Sequence, residues 1–476
     1  YDHKQLNDTI ERRLIYQLEP FMVMQQQMGI SPKTEVLKKL WKKVLLNHAH
    51  DSACGCNSDA TNDAILQRLQ DCEQMSSMLL DYQVRKLSES LSGIRENDIV
   101  FYNTLPYTSD EVRKVSITTK QKSFCILDEA GCEIAYDCLQ TQRVYSGSIR
   151  KEPSSYDEEL YYYQSEIMIR LSMKPMSMCI LHITACDSHE QQVQKRAALE
   201  NAYYKITWNK GMLQLKDKTT GRILEDFLFV EDGGDEGDTY DYSWPTRDRI
   251  YELRFQNAKA ELQSGDIADI LTLRGTWLLP QSLQERESDQ CTQELSYELQ
   301  LQLDHKDLIR CELHVNNTAA EHRMRVICRG LSSSDSSIAD TPFGTIRRKH
   351  DPKHMDDWRE AGYREEPSPI YPFLHHVSNG DGPILTCFSK GIKEYEILRH
   401  TDIALTLFRS VPLLGKPDLN RRPGIASGNE FKYIPTPKSE LRQRMSFAFA
   451  LCYRREYHAM ELQKAWLCYA NESLYY

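Results

Sequence analysis

The chain has 476 residues, 40% hydrophobic and 27% charged, with 21 Gly and 18 Pro. At about 150 residues per domain this is material for roughly three globular domains, and it excludes disorder, collagen-like and low-complexity sequence. Lys and Arg number 59 against 69 Asp and Glu, a net charge of −10, which sets nucleic acid aside as a main partner. No apolar run reaches the roughly 18 residues of a membrane-crossing helix, so no membrane partner is expected.

The chain opens on Tyr1-Asp2-His3-Lys4, with neither Met nor a signal pattern, and reads as a piece of a longer protein. Leu6, Ile10, Leu14, Leu18 and Phe21 recur at steps of three and four and predict an amphipathic helix, broken by Gly29 and Pro32. Thr34 to Leu37 opens a second helix, carrying Leu37, Leu40, Trp41, Val44 and Leu45. Ser58 can N-cap a third, with Ile65, Leu69, Cys72, Leu79 and Tyr82 as its stripe and an end near Gly93. From Ile99 the period changes to that of strands, at Ile99–Tyr102, Val115–Ile117, Phe124–Leu127 and Met168–Leu171. A polar linker or surface helix is expected from about Ser188 to Glu200. Asn209-Lys210-Gly211 then reads as a hairpin turn, and strand patterns continue to the C-terminus. Helices followed by strands, without alternation, argue against a parallel α/β domain. The 14 cysteines form no CxxC pair, and several sit in apolar strands, as Cys179 does. They predict buried free thiols and a reducing, cytoplasmic compartment.

Three clusters carry candidate chemistry. Asn47-His48-Ala49-His50-Asp51-Ser52 closes an apolar helix and precedes Cys54 and Cys56. Histidines two apart lie about 200° around a helix, so at most one faces a common site if the helix persists. Three readings stand: a helix-end histidine followed by a turn, one histidine as a metal ligand, or a local His48/His50/Cys54/Cys56 zinc cage. Glu231 to Ser243, rich in Gly, Asp and Tyr, is either a solvated acidic loop or a ligand-contacting one. Leu413 to Gly424 carries the adjacent Arg421 and Arg422 on a loop, and Ala339 to Gly344 reads as a structural turn between strands.

Leu45-Leu46-Asn47-His48-Ala49-His50-Asp51-Ser52, Gly237-Asp238-Thr239-Tyr240-Asp241-Tyr242-Ser243, Ala339-Asp340-Thr341-Pro342-Phe343-Gly344 and Leu413-Leu414-Gly415-Lys416, with Arg422-Pro423-Gly424 beyond, resemble in order the signature stretches of family 38 glycoside hydrolases. These are zinc-dependent retaining α-mannosidases, and the chain resembles their bacterial cytoplasmic type. The resemblance implies that this chain is the portion following the family's α/β barrel, with both the nucleophile and the acid/base carboxyl upstream and no catalytic residue here. It implies His50 as one zinc ligand, and His48 as either a residue that supports the ligand from behind or a structural one. Asp51, Tyr240 or Tyr242, and Arg422 rather than Arg421, are implied as substrate contacts. A departure is Ala53-Cys54, where the family carries a larger apolar residue followed by a small one. The implied reaction is hydrolysis through a covalent glycosyl-enzyme, with zinc orienting sugar hydroxyls.

The expected architecture is multidomain α plus all-β. A three-helix bundle spans 1–95, a small β-domain 96–187, and a large galactose-mutarotase-like antiparallel sandwich 188–476. The expected cofactor is zinc. The expected partner is a mannoside, of the oligomannoside or mannosylglycerate type, and any protein partner is a further copy of the chain. A rival reading is a non-catalytic β-rich carbohydrate-binding or assembly module with a helical adaptor.

Overall fold

The apolar stripe of the first helix is buried as its spacing predicts, with Ile10, Leu14, Leu18 and Phe21 fully enclosed. In the computed structural model, which describes all residues except 96, 150–157, 187–196, 426–432 and 473, this path is not one regular helix. It runs as α1 (Asp2–Arg12), a π-helical stretch (Arg13–Leu18) and α2 (Glu19–Gln27). The cause is Pro20, near the start of α2. It has no N–H for the carbonyl of Tyr16, and the Thr104 hydroxyl donates to that carbonyl instead, at 2.6 Å. Then come α3 (Thr34–Leu46), the short α4 (His50–Cys54) and α5 (Asp59–Ser88). Ser58 Oγ caps α5 by accepting from the Thr61 N–H at 3.4 Å.

The remainder is antiparallel sheet with short helices, the multidomain α and β arrangement expected. The strand Asp98–Asn103 shows how the layers join. Its side chains alternate in direction: Val100 and Tyr102 pack into the helical core, Phe101 into the core of the small sheets. That four-stranded sheet contains Ser177–Ala185, Phe124–Leu127 and the chain's last strand, Leu474–Tyr475. It shares a core with the three-stranded sheet of Ser109–Thr119, Glu158–Met173 and Tyr136–Ile149. The return of residues 474–475 to this early sheet is a long-range pairing (Phe101 with Tyr475) that no local pattern encodes.

Farther along, a nine-stranded and a six-stranded sheet enclose one large core. The hairpin at Asn209-Lys210-Gly211 forms as read, with Lys210 and Gly211 both at positive φ (49° and 94°). A Cβ on Gly211 would stand 2.4 Å from Gln256, so glycine is required there. Most of the expected linker from about Ser188 lies outside the described residues. One expectation is corrected: a helix interrupts the strands between Arg444–Arg454 and the terminal Leu474–Tyr475. After α6 (Leu283–Glu287), residues Ala459–Ala470 form helix α7. It buries Leu462, Trp466, Leu467 and Ala470 on the outer face of the nine-stranded sheet. Those residues stand at i, i+4, i+5 and i+8, a helical spacing.

The bundle is fastened to the sandwich by ions and close backbone contact. Asp8 accepts from Lys393 Nζ at 2.6 Å and from Arg12 Nε at 2.8 Å. A Cβ on Gly391 would meet Gln5 at 2.4 Å. The Tyr1 hydroxyl donates to the Ser446 carbonyl at 2.9 Å.

Candidate functional site

The helix carrying the histidine cluster does not persist through it. α3 ends at Leu46, Ala49 is extended (φ −53°, ψ 137°), and His50 opens α4. His48 and His50 therefore do not share one helix, yet the two rings still part. His48 Nε2 turns back onto α1, 3.0 Å from Asn7 Oδ1 and 3.1 Å from Glu11 Oε1. The His50 side chain is 91% exposed, and its Nε2 lies 3.4 Å from Asp51 Oδ1, itself 54% exposed. α4 stops at Gly55, whose left-handed φ of 85° brings its N–H to the Asp51 carbonyl at 2.9 Å. Asn57 Nδ2 donates to the same carbonyl at 2.7 Å. The turn is thus locked from below while His50 and Asp51 project outward.

Sheet topology brings the other two motifs to this turn. Strands Leu228–Gly234 and Asp402–Ser410 flank His322–Cys328 and run antiparallel to it, with Gly234 and Ser410 both opposite His322. The loops that follow them, 235–243 and 411–424, leave the sheet at one end. The Thr239 N–H donates to the Leu413 carbonyl at 3.1 Å. Cys56 Sγ donates to the Thr239 carbonyl at 3.6 Å, which joins both loops to the end of α4.

Three carboxylates of the acidic loop are turned inward and paired, while Glu236, Tyr240 and Asp241 keep part of their side chains in solvent. Asp232, Asp235 and Asp238 are fully buried and paired. Asp232 meets Arg286 and, at 2.5 Å, His322 Nδ1. Asp235 accepts from Arg409 Nε at 2.6 Å. Asp238 accepts from the Tyr240 and Asp241 N–H groups, both at 2.9 Å, from Lys416 N–H at 2.6 Å and from Arg422. Burial would push the Asp232 carboxyl up, but His322 and Arg286 outweigh it and hold it low. Arg286, His322 and Arg409, which the sequence reading missed, are thus the loop's supports. The three aspartates at steps of three were the available signal. Gly237 is needed because a Cβ there would meet the Asp241 carbonyl at 2.0 Å.

The two tyrosines part company. Tyr242 is half-buried against the sheet, with the Arg323 guanidinium 4.3 Å from its ring. Tyr240 is 38% exposed. Burial and then the neighbouring Cys56, Asp51 and Asp238 raise its hydroxyl, so it stays protonated. The arginines part as well. Arg421 Nε donates to Glu366 at 3.0 Å. Arg422 is buried, 9% exposed, and donates to Asp238, to Asp241 Oδ2 at 2.5 Å and to the Lys416 carbonyl at 3.2 Å. Its guanidinium stands 5.9 Å from the Tyr240 ring. The hairpin Ser336–Thr341/Gly344–Lys349 serves the sandwich instead, because Asp340 accepts from the N–H groups of His375 (2.7 Å) and His376 (2.8 Å).

Among the described residues no group of three or more His, Cys, Asp or Glu is placed to hold a metal. The Cys56 thiol is pushed up to about 11 by burial and then by Cys54 and Asp51, which disfavours the thiolate a zinc ligand must be. His50 and Cys54 are the exposed side chains of donor type in this cluster, and neither is joined there by two further donors.

Residues 1–87 match the family model of the alpha mannosidase middle domain, and along its length the chain is similar to family 38 glycoside hydrolases. A protein of Halalkalibacterium halodurans named "Putative mannosylglycerate hydrolase" is 22% identical over 91% of this chain and 53% of its own. An alpha-mannosidase from Enterococcus faecalis V583 is superposable on 100% of this chain and 57% of its own, with a TM-score of 0.80 at 22% identity. A second structure, of a glycosyl hydrolase family 38 protein from Enterococcus faecalis, covers 98% of this chain and 58% of its own (TM-score 0.77, 21% identity). These structures establish the fold. The chain spans little more than half the length of these relatives.

Proposed function

We infer that the chain is the C-terminal portion of a zinc-dependent retaining α-mannosidase and supplies one wall of its active site. The domains proposed are the bundle at 1–95, a small β-domain at 96–187 and a galactose-mutarotase-like sandwich at 188–476. The substrate proposed is an α-mannoside of the oligomannoside or mannosylglycerate type, and the compartment the cytoplasm. The observation that carries this reading is the meeting of three distant motifs: the end of α4, residues 235–243 and residues 411–424 converge through Cys56, Thr239 and Leu413.

In this reading His50 donates one lone pair to zinc. Zinc, when bound, supplies a Lewis acid that orients sugar hydroxyls. Asp51 accepts hydrogen bonds from hydroxyls of the bound mannose, and Tyr240 places its hydroxyl at the same sugar. Tyr242 is the weaker candidate because its ring faces Arg323. Arg422 acts through the loop: it holds Asp238 and Asp241 and so fixes the backbone that presents Tyr240. The attacking and proton-donating carboxyls are assigned to no residue of this chain.

The test is zinc per chain alongside kcat/KM for an aryl α-mannoside in the intact gene product. His50→Ala should lose both metal and turnover, whereas His48→Ala should keep the metal. Asp51→Asn should keep the metal while kcat/KM falls about 10- to 100-fold, the loss of one charged hydrogen bond of about 1.5–3 kcal/mol. Loss of metal in His48→Ala but not His50→Ala would move the ligand. Full activity in all three variants would leave a non-catalytic carbohydrate-binding or assembly module.

A further inference from the structure

A cavity of about 510 Å³ lies between the outer face of the nine-stranded sheet, strand Ser109–Thr119 and the end of α7. That volume falls within the range of small-molecule sites, ~300–1,000 Å³. Its floor is a polar row set by strand register. Gln302 lies opposite Arg310, and Gln300 opposite Glu312, which is opposite Ala448, which is opposite Lys390. Ala448 is the small residue in that row, and the hollow opens over it.

Most charges around the cavity are matched. Glu111 accepts from Lys306 and, at 2.6 Å, from Arg310. Lys114 pairs with Glu166 at 2.9 Å and Glu472 with Arg12 at 3.9 Å, and Glu312 stands 3.4 Å from His314, which matches its charge only when that imidazole is protonated. Two cations of the lining, Arg113 and Lys390, are in no ion pair among the described residues. Arg113 is buried, and its Nη2 donates to Ser109 Oγ at 3.0 Å while its Nε has no hydrogen-bond partner. Lys390 has no carboxylate within ion-pairing distance among the described residues and stands 4.5 Å from the Tyr469 ring centroid. Burial, then Arg12, lowers its ammonium to about 8 against the opposing charges of Glu472 and Glu312. Unpaired cations in a recess are costly, and a bound anion offsets that cost. A dianion matches the pair, with a guanidinium and an ammonium as its donors. The cavity also has room and partners beyond the anion: Asn471 Oδ1 is buried without a donor.

We propose that this cavity is a binding site for a phosphate monoester of a small polyol, with the phosphoryl group held by Lys390 and Arg113 and a hydroxyl donated to Asn471. It stands apart from the His50–Tyr240 site and does not depend on its assignment.

The experiment is calorimetric titration of the chain with inorganic phosphate, glycerol 3-phosphate and, as a monoanionic control, glycerate, at constant ionic strength. One-to-one binding is expected for both phosphates, tighter for the ester, with glycerate at least about tenfold weaker. Lys390→Met and Arg113→Gln should each weaken glycerol 3-phosphate by about tenfold or more. A second measurement needs no variant: acetylation of Lys390 near pH 8, mapped by mass spectrometry, should be suppressed by glycerol 3-phosphate. No heat and no protection of Lys390 at about 20 mM ester would overturn the proposal. So would equal protection by chloride, or unaltered affinity in a folded Lys390→Met chain.

Discussion

At the scale of single residues, adjacent or nearly adjacent side chains of one type take opposite roles because the backbone between them turns. His48 and His50, Tyr240 and Tyr242, Arg421 and Arg422 all divide this way, one tied into the fold and its neighbour directed at the loop cluster or at solvent. The tyrosine pair yields a direct comparison. Tyr240→Phe removes a hydroxyl beside Asp51 and should lower kcat/KM of the intact gene product about fivefold, the worth of a neutral hydrogen bond of about 1 kcal/mol. Tyr242→Phe keeps the ring that Arg323 covers and should leave kcat/KM within about twofold. A larger effect at Tyr242 would exchange the two roles. Arg422→Gln should lower kcat/KM and also speed alkylation of Cys56, because releasing Asp238 and Asp241 loosens the carbonyl of Thr239 from that thiol. Peptide mapping separates Cys56 from the exposed Cys54.

At the scale of elements, the docking of α1 on the sandwich rests on Asp8. Burial raises this carboxyl, but Lys393 and Arg12 outweigh burial and hold it below the ordinary carboxylate range. A group whose pKa is depressed by folding contributes stability above its unfolded value, about 3.9, and loses it as pH falls through the folded value. Asp8→Asn should therefore cost about 3–5 kcal/mol near neutral pH, as expected when one partner of a buried ion pair is removed. It should also flatten the acid limb of the stability curve below about pH 4, and urea unfolding at several pH values measures both. Elements of this kind also show what the sequence reveals. Stripes at steps of three and four, such as Ile65, Leu69 and Cys72, and alternation through residues such as Phe447 and Phe449 are local and were legible. The π-helical stretch was not, since it needs Thr104 to replace the donor that Pro20 lacks. Nor was the pairing of Asp98–Asn103 with Leu474–Tyr475, or the burial of Asp235 by an arginine 174 residues away. The residue types of the candidate site could be read from their motifs; that they meet at one end of a sheet is a property of strand order.

For the whole molecule, the deciding quantity is how much of a metal site one chain can build. A structural zinc site takes four ligands, and a catalytic one takes three from protein with a position left open. Among the described residues no three such donors converge: His48 is held by Asn7 and Glu11, Cys56 is directed at Thr239, and only the exposed His50 and Cys54 of that cluster are left. The affinity of a lone exposed imidazole is far below that of a converging set, because each further donor adds binding free energy without a second loss of translational freedom. The 476-residue chain, purified by itself, should therefore retain far less than one zinc per chain after dialysis. It should show no turnover of an aryl α-mannoside, while the intact gene product retains zinc and loses activity to a chelator. Metal analysis and a chromogenic assay on both proteins measure this. Stoichiometric zinc in the isolated chain would instead point to the His48, His50, Cys54 and Cys56 cage, and cysteine alkylation should then release the metal. Turnover by the isolated chain would place the attacking and proton-donating carboxyls within these residues and overturn the division of the active site proposed above.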